Sequence, residues 1–137
     1  MAISFQNLDI DYQLKQQVKL KTWIKRVCAL EKRKTGDLNF IFMNDSELLK
    51  YNIQYLHHDT LTDIISFDYS TGKNISGDIM ISLERVKENA VKFKTDLDTE
   101  LRRVVIHGVL HLCGYSDKTK KAAAEMRAKE DWALKKF

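Results

Sequence analysis

Ile64-Ile65-Ser66-Phe67-Asp68-Tyr69-Ser70-Thr71-Gly72-Lys73-Asn74-Ile75-Ser76-Gly77-Asp78-Ile79-Met80-Ile81-Ser82 is the stretch on which the fold turns. Ile64 to Tyr69 and Asp78 to Ser82 are short runs rich in β-branched and aromatic residues, with Gly72 at a turn position between them. They predict two strands joined as a hairpin. Upstream, Leu38 to Met43 (LNFIFM) is a nearly continuous apolar run, the pattern of a strand covered on both faces. Ile3 to Asn7 reads as a short first strand. Between these two, Leu14, Val18, Leu20, Trp23, Ile24, Val27 and Leu30 recur at helical spacing until Gly36 breaks the pattern. A further helix runs through Tyr55, with the Ser46 hydroxyl placed to cap it.

Downstream of the hairpin the period becomes helical. Val86, Ala90 and Phe93 share one face, and a new helix opens near Asp96 or Asp98, where Asp98 and Glu100 put negative charge in the first turn. A last helix spans about Lys120 to Leu134, with Ala122, Met126 and Ala133 inward. Trp23, Trp132 and Met126 read as core, and four of the five glycines (36, 72, 77, 108 and 114) read as turns or caps. The order β-α-β-α-β-β-α-α-α predicts an α+β domain, a mixed sheet of about four strands carrying about five helices, in one domain over 1–137.

The composition is that of a globular chain, 44% hydrophobic and 31% charged over 137 residues. No apolar run approaches the roughly 20 residues of a membrane span. The N-terminal MAISFQNLDIDYQLKQ lacks the basic and apolar regions of an export signal, so a cytoplasmic address with no membrane partner is expected. Cys28 and Cys113 lie in apolar helical pattern and read as buried, reduced thiols. Net charge is +4 with an isoelectric point near 9.0. Lys19, Lys21, Lys25, Arg26, Lys32, Arg33 and Lys34 crowd one region, and Lys118, Lys120, Lys121, Arg127 and Lys129 another. Solvated helix faces and an RNA footprint account for them equally well.

The chemistry concentrates in residues 103–117, RVVIHGVLHLCGYSD. Val104, Val105, Val109, Leu110 and Leu112 make this helix apolar over much of its circumference, so it is expected to be central and buried. His107 and His111, four apart on one face, carry Cβ atoms about 5–6 Å apart and can converge on one ion. Gly114 can end the helix in a left-handed conformation, turning the chain so that Asp117 supplies a third ligand. Three protein ligands with an open position are the pattern of a catalytic rather than a structural zinc. The bland alternative is a pair of buried, satisfied histidines, which holds for about half of bare H-x3-H patterns. The glycine stop, the carboxylate beyond it and the apolar helix, which cannot cheaply hold two unpaired imidazoles, weigh against it. A zinc metalloprotease has glutamate directly after its first histidine, where this chain has Gly108. That glycine is expected to leave open space beside the metal, room for a bulky substrate group such as a phosphodiester.

His107 to Asp117, HGVLHLCGYSD, resembles the signature of the YbeY family of metal-dependent endoribonucleases. Asn52, Tyr55, Asp59, Thr62, Asp63, Ser66 and Phe67 are similar to the family's stretch leading into its third strand, and Gly77-Asp78-Ile79 resembles the start of its fourth. The likeness runs in order from about residue 36 to 134. It implies one divalent ion, most simply zinc, and cleavage of single-stranded RNA. It also implies roles in 16S rRNA 3′-end maturation and ribosome quality control. The expected partners are rRNA and the small ribosomal subunit, with a ribosomal protein or an assembly GTPase as protein partner. The expected metal ligands are His107, His111 and Asp117.

Two positions depart from the family. Its third histidine falls at Asp117, a harder donor that alters metal preference. Its cleft arginine falls at Leu56, so phosphate-binding charge must come from elsewhere, with Lys50, His57, His58 and Lys73 as candidates. Asp63 is the candidate for orienting the attacking water. His58 is the candidate proton donor or phosphate contact, since histidine titrates near neutrality. Asp59, Thr62 and Asp63 also suit a turn or cap. Two other functions fit the residues: a metal-stabilised factor that holds pre-rRNA without cutting it, favoured by Leu56, and a hydrolase of a small phosphorylated or amide substrate.

Overall fold

Strand β1 (Ile3–Asn7) lies parallel to β2 (Lys34–Met43), β2 lies parallel to β4 (Asn74–Ser82), and β3 (Ile64–Asp68) closes the far edge antiparallel to β4. The computed structural model describes residues 2–57 and 62–137. Helices α1 (Gln17–Leu30), α2 (Asp45–Leu56), α3 (Leu83–Lys92), α4 (Leu97–Leu112) and α5 (Lys120–Leu134) complete the chain. The sheet order β1-β2-β4-β3 makes this the expected α+β fold with a mixed four-stranded sheet. No helix among the described residues is long and apolar enough to cross a membrane.

Side chains along a strand alternate between faces, and the two faces have different covers. Leu38, Phe40 and Phe42 of β2 join Ile75, Ile79 and Ile81 of β4 in the main core, with Leu20, Trp23, Ile24 and Val27 of α1 and the apolar side of α4. Met43 and Ile65 point the other way, where Leu48 of α2 meets them in a smaller core flanked by Ile41, Phe67 and Met80. Burying each of these large side chains contributes about 1.5–3 kcal/mol. This two-sided burial is why LNFIFM carries no polar alternation. Both cysteines are free and buried.

The structure corrects several local expectations. Strands β2 and β4 begin earlier than their apolar runs, because Lys34 pairs with Asn74 and Thr35 with Ile75 before a register shift ahead of Leu38. Gly36 and Gly77 therefore lie inside strands, and Gly108 lies mid-helix. Of the five glycines, only Gly72 and Gly114 take positive φ. Leu14 precedes α1 rather than belonging to it. Phe93 does not share the inward face of Val86 and Ala90: it caps the C-terminus of α3 and is 51% exposed.

Asn44, not Ser46, caps α2: its Oδ1 accepts from the Glu47 backbone N–H at 3.0 Å and from the Ser46 hydroxyl at 2.9 Å. Asn44→Ala is expected to cost about 1 kcal/mol, and Ser46→Ala a few tenths, because only the former strips an acceptor from an otherwise unpaired amide. Urea midpoints of the two variants would show the order.

Candidate metal centre and active-site cleft

Helix α4 owes its place to its sequence. Asp96 caps it by accepting from the Thr99 N–H at 2.7 Å, and this bond holds the Asp96 carboxyl below the usual range. Leu101, Val104, Val105, Ile106, Val109, Leu110 and Leu112 are all buried. Gly108 faces the sheet and not a metal. A Cβ there would meet Ile64 Cδ1 and Ile79 Cγ2 at 3.0 Å each. The expected open space beside the metal is thus filled by β3 and β4, and the glycine sets how closely α4 lies on them.

Neighbouring positions on this helix turn away from the sheet into a cleft of about 780 Å³. Its walls include Leu56, Asp63, Phe93, Glu100, Arg103, His107, His111, Asp117, Lys118, Arg127 and Glu130. The cleft gathers the three expected metal ligands and Asp63 into one space. His58 and Asp59 lie outside the described residues. Lys50 and Lys73 do not line the cleft: Lys50 pairs with Glu47 on the surface of α2, and Lys73 sits in the β3–β4 turn, its carbonyl accepting from Lys34. His57 ends α2 in a left-handed conformation and is likewise not a wall residue.

His107 is the best-defined member. Its Nδ1 lies 2.7 Å from Glu130 Oε2, and its Nε2 lies 3.5 Å from Asp117 Oδ2. An ionised carboxylate can only accept, so the proton of this bond sits on Nδ1, and in the neutral ring Nε2 keeps the lone pair. Glu130 is itself held: its Oε1 accepts from Arg103 Nη1 at 2.9 Å, while Arg103 Nη2 donates to Asp131 Oδ1 at 2.6 Å. Burial alone would lower the His107 pKa. The Glu130 bond and the charges of Glu130, Asp117 and Asp63 outweigh it and raise it.

Glu130 is the residue that sequence reading missed. It lies thirteen positions beyond Asp117, in a helix whose pattern marks it only as one more charge between Met126 and Ala133. The antiparallel packing of α5 on α4 brings it to His107.

The residues present suit a divalent cation. A histidine whose far nitrogen donates to a buried carboxylate is the usual arrangement behind a metal-ligating imidazole, since that bond fixes the ring and its tautomer. The donor set of two imidazoles and a carboxylate matches zinc and its neighbours. The carboxylates that favour a proton at Nε2 equally favour a cation there. Among the described residues, no three histidine, cysteine or acidic side chains already stand in a chelating cluster. His111 shares the cleft, with its side chain exposed.

A family model described as Endoribonuclease YbeY matches residues 3–137. The chain belongs to the YbeY family. It is 52% identical over 135 residues to the Endoribonuclease YbeY of Flavobacterium psychrophilum, covering 98% of this chain and 96% of that protein. The protein of the same name from Parabacteroides distasonis is 46% identical, with 98% and 94% covered. Among solved structures, the solution structure of TM1509 from Thermotoga maritima superposes with a TM-score of 0.67 at 28% identity, covering 98% of this chain and 88% of that one. The YbeY resemblance read from HGVLHLCGYSD therefore holds over nearly the whole chain. It extends to β1 and α1, which the motif resemblance had not reached.

Within this YbeY cleft, Asp63 has its carboxyl pushed up, chiefly by burial, against the opposing pull of His107. Burial likewise raises Glu100, against the pull of Arg103. For Asp63 the folded protein binds the proton more tightly than the unfolded chain. Its contribution to stability is then fullest below the ordinary aspartate value of about 3.9 and is lost as pH rises through the folded value. In chelator-treated protein, Asp63→Asn is expected to raise the melting temperature at neutral pH, with the gain vanishing at strongly acidic pH. Melting curves across that range would test this, and an Asn variant less stable at pH 7 would contradict the assignment.

Proposed function

We propose that this chain is a metal-dependent endoribonuclease that cleaves single-stranded RNA in the cleft between α4 and the segment leading into β3, acting in the cytoplasm. The observation that carries the reading is the His107 imidazole, oriented by buried Glu130 and facing Asp117, in a chain whose relatives are named endoribonucleases. His107, His111 and Asp117 would hold one ion, zinc by its donor set. When bound, that ion supplies Lewis-acid stabilisation of charge developing on the phosphodiester.

The chain's own residues do the rest. Glu130 and Arg103 hold the His107 ring in place. Asp63, a buried carboxyl that lines the cleft and is raised above the usual aspartate range by desolvation, orients the attacking water and accepts its proton. His58 is the proposed donor to the leaving oxygen. The biological substrate we propose is the 3′ end of 16S rRNA, met on the small subunit, with ribosome quality control as the wider role. A ribosomal protein or an assembly GTPase would supply specificity.

Elemental analysis of wild type beside His107→Ala/His111→Ala, followed by cleavage assays on single-stranded RNA, tests the reading. About one zinc-like ion per chain in wild type only, with cleavage lost in the variant and in Asp117→Ala, is the expected result. No metal in either protein and no cleavage with any divalent ion would leave the second reading, a non-cleaving RNA-holding factor. Leu56 favours that reading, because it presents an apolar side chain to the cleft where the family resemblance puts an arginine.

A further inference from the structure

An RNA strand brings one negative charge per phosphate into this cleft, and four carboxylates, Asp63, Glu100, Asp117 and Glu130, already line it. Of the lining cations, Arg103 is committed to Glu130 and Asp131. Arg127 and Lys118 line the same space, and among the described residues neither is ion-paired with a carboxylate.

Arg127 is placed by an aromatic ring. Its Cζ stands 6.0 Å from the centroid of Phe93, and Lys92 Nζ stands 5.5 Å from the same centroid. Phe93 is half exposed at the end of α3, although helical spacing alone would have put it with Val86 and Ala90 in the core. A phenylalanine in that position leaves half of its surface to solvent. What its π-face does is attract two cations, each by about 0.5–1 kcal/mol at an exposed site, gathering positive charge at the rim of an acidic cleft.

We propose that Arg127, held with Lys92 over Phe93, is a rim subsite that binds an RNA backbone phosphate adjacent to the one being cut. It supplies from α5 the positive charge that Leu56 does not. A guanidinium suits the task, since its planar fork can donate two hydrogen bonds to a phosphate. Phe93 acts as a positioning residue, keeping the Arg127 guanidinium from folding back onto Glu100 and Asp131, whose charges it feels. The inference rests on the RNA-cleaving reading above, and it commits that reading to α3 and α5 as the wall along which the strand leaves the metal.

The experiment is fluorescence anisotropy of an end-labelled single-stranded 2′-O-methyl RNA with the metal-loaded full chain over a range of salt, the oligonucleotide being checked intact on a gel. Arg127→Ala should weaken binding about fivefold to tenfold near 0.1 M salt, and make the slope of log affinity against log salt shallower by about 0.7, the value of one phosphate contact on a single strand. In cleavage of ordinary RNA the same variant should raise KM by a similar factor and leave kcat within about twofold. Arg127→Lys should restore the salt slope, and Phe93→Leu should give an intermediate loss at unchanged melting temperature. Arg127→Ala/Leu56→Arg, which returns a cation to the same cleft, should recover affinity, as a purely structural role of Arg127 could not. A slope and KM unchanged in Arg127→Ala would overturn the subsite while leaving the RNA reading intact. Failure of the wild-type chain to bind RNA at all would overturn both.

Discussion

Glu130→Ala protein is expected to bind divalent metal about 10- to 100-fold more weakly than wild type, with all three proposed ligands still in place. The reason is orientational. Glu130 Oε2 fixes the His107 ring by its 2.7 Å bond to Nδ1, and without it the imidazole can rotate or carry its proton on the wrong nitrogen. A second effect follows from burial. The Glu130 side chain is 6% exposed and Arg103 17%, so the alanine leaves a guanidinium largely shut off from water with Asp131 as its remaining ion-pair partner among the described residues. Removing one member of a buried pair costs about 3–5 kcal/mol, and the surviving Asp131 contact puts this case near 3. Calorimetric zinc titration of chelator-treated protein measures the first effect, and urea unfolding the second. Glu130→Gln, which can still accept one bond but carries no charge, should fall between. Unchanged metal affinity at reduced stability would reduce Glu130 to a partner of Arg103.

Gly77→Ala is the second large effect, and it acts through backbone. A Cβ at this position would stand 2.4 Å from the Phe67 carbonyl oxygen and 3.2 Å from Leu112 Cδ1. Leu112 can give a few tenths of an ångström. Phe67 cannot, because it is held in the antiparallel ladder in which it faces Asp78 and Asp68 faces Gly77. The methyl must prise β3 from β4, at about 3 kcal/mol, or a fall of roughly 10 °C in melting temperature for a domain of this size. Gly72→Ala is the informative contrast: nothing lies within 4 Å of its Cβ, and only its φ of +59° opposes the change. Its cost should stay near 1 kcal/mol. Thermal unfolding followed by circular dichroism separates the two.

Much of this arrangement could be read from the chain because each element carries its own period. β1 spans Ile3–Asn7 as predicted, and α5 runs from Lys120 to Leu134 as its spacing predicted. Helix α4 announced itself by apolar residues around most of its circumference. What escaped were features with no local signature. Lys34 and Asn74 are strand residues because their backbones pair across the sheet, and nothing in their side chains says so. Asn44 outcompetes Ser46 as a cap through where the chain enters the helix, since either residue type could serve. Gly108 looked like space for substrate because a sequence shows the missing side chain and not what presses against it. Glu130 and Arg127 are two charges in a charged helix until α5 is docked on α4, when one turns to His107 and the other to Phe93.

The standing of α4 against the sheet through Gly108 also bears on how this site would open. Both imidazoles ride on a helix whose other side is the main core, so the backbone positions that carry them stay fixed relative to each other while that helix is folded. Asp117 sits beyond Gly114, whose φ of +107° marks the end of the helix, on a short link to α5. Of the three proposed ligands, the carboxylate is therefore the one that can swing, by rotation in a few backbone bonds and at little expense to the core. If His107, His111 and Asp117 hold an ion as proposed, it would enter and leave on the Asp117 side.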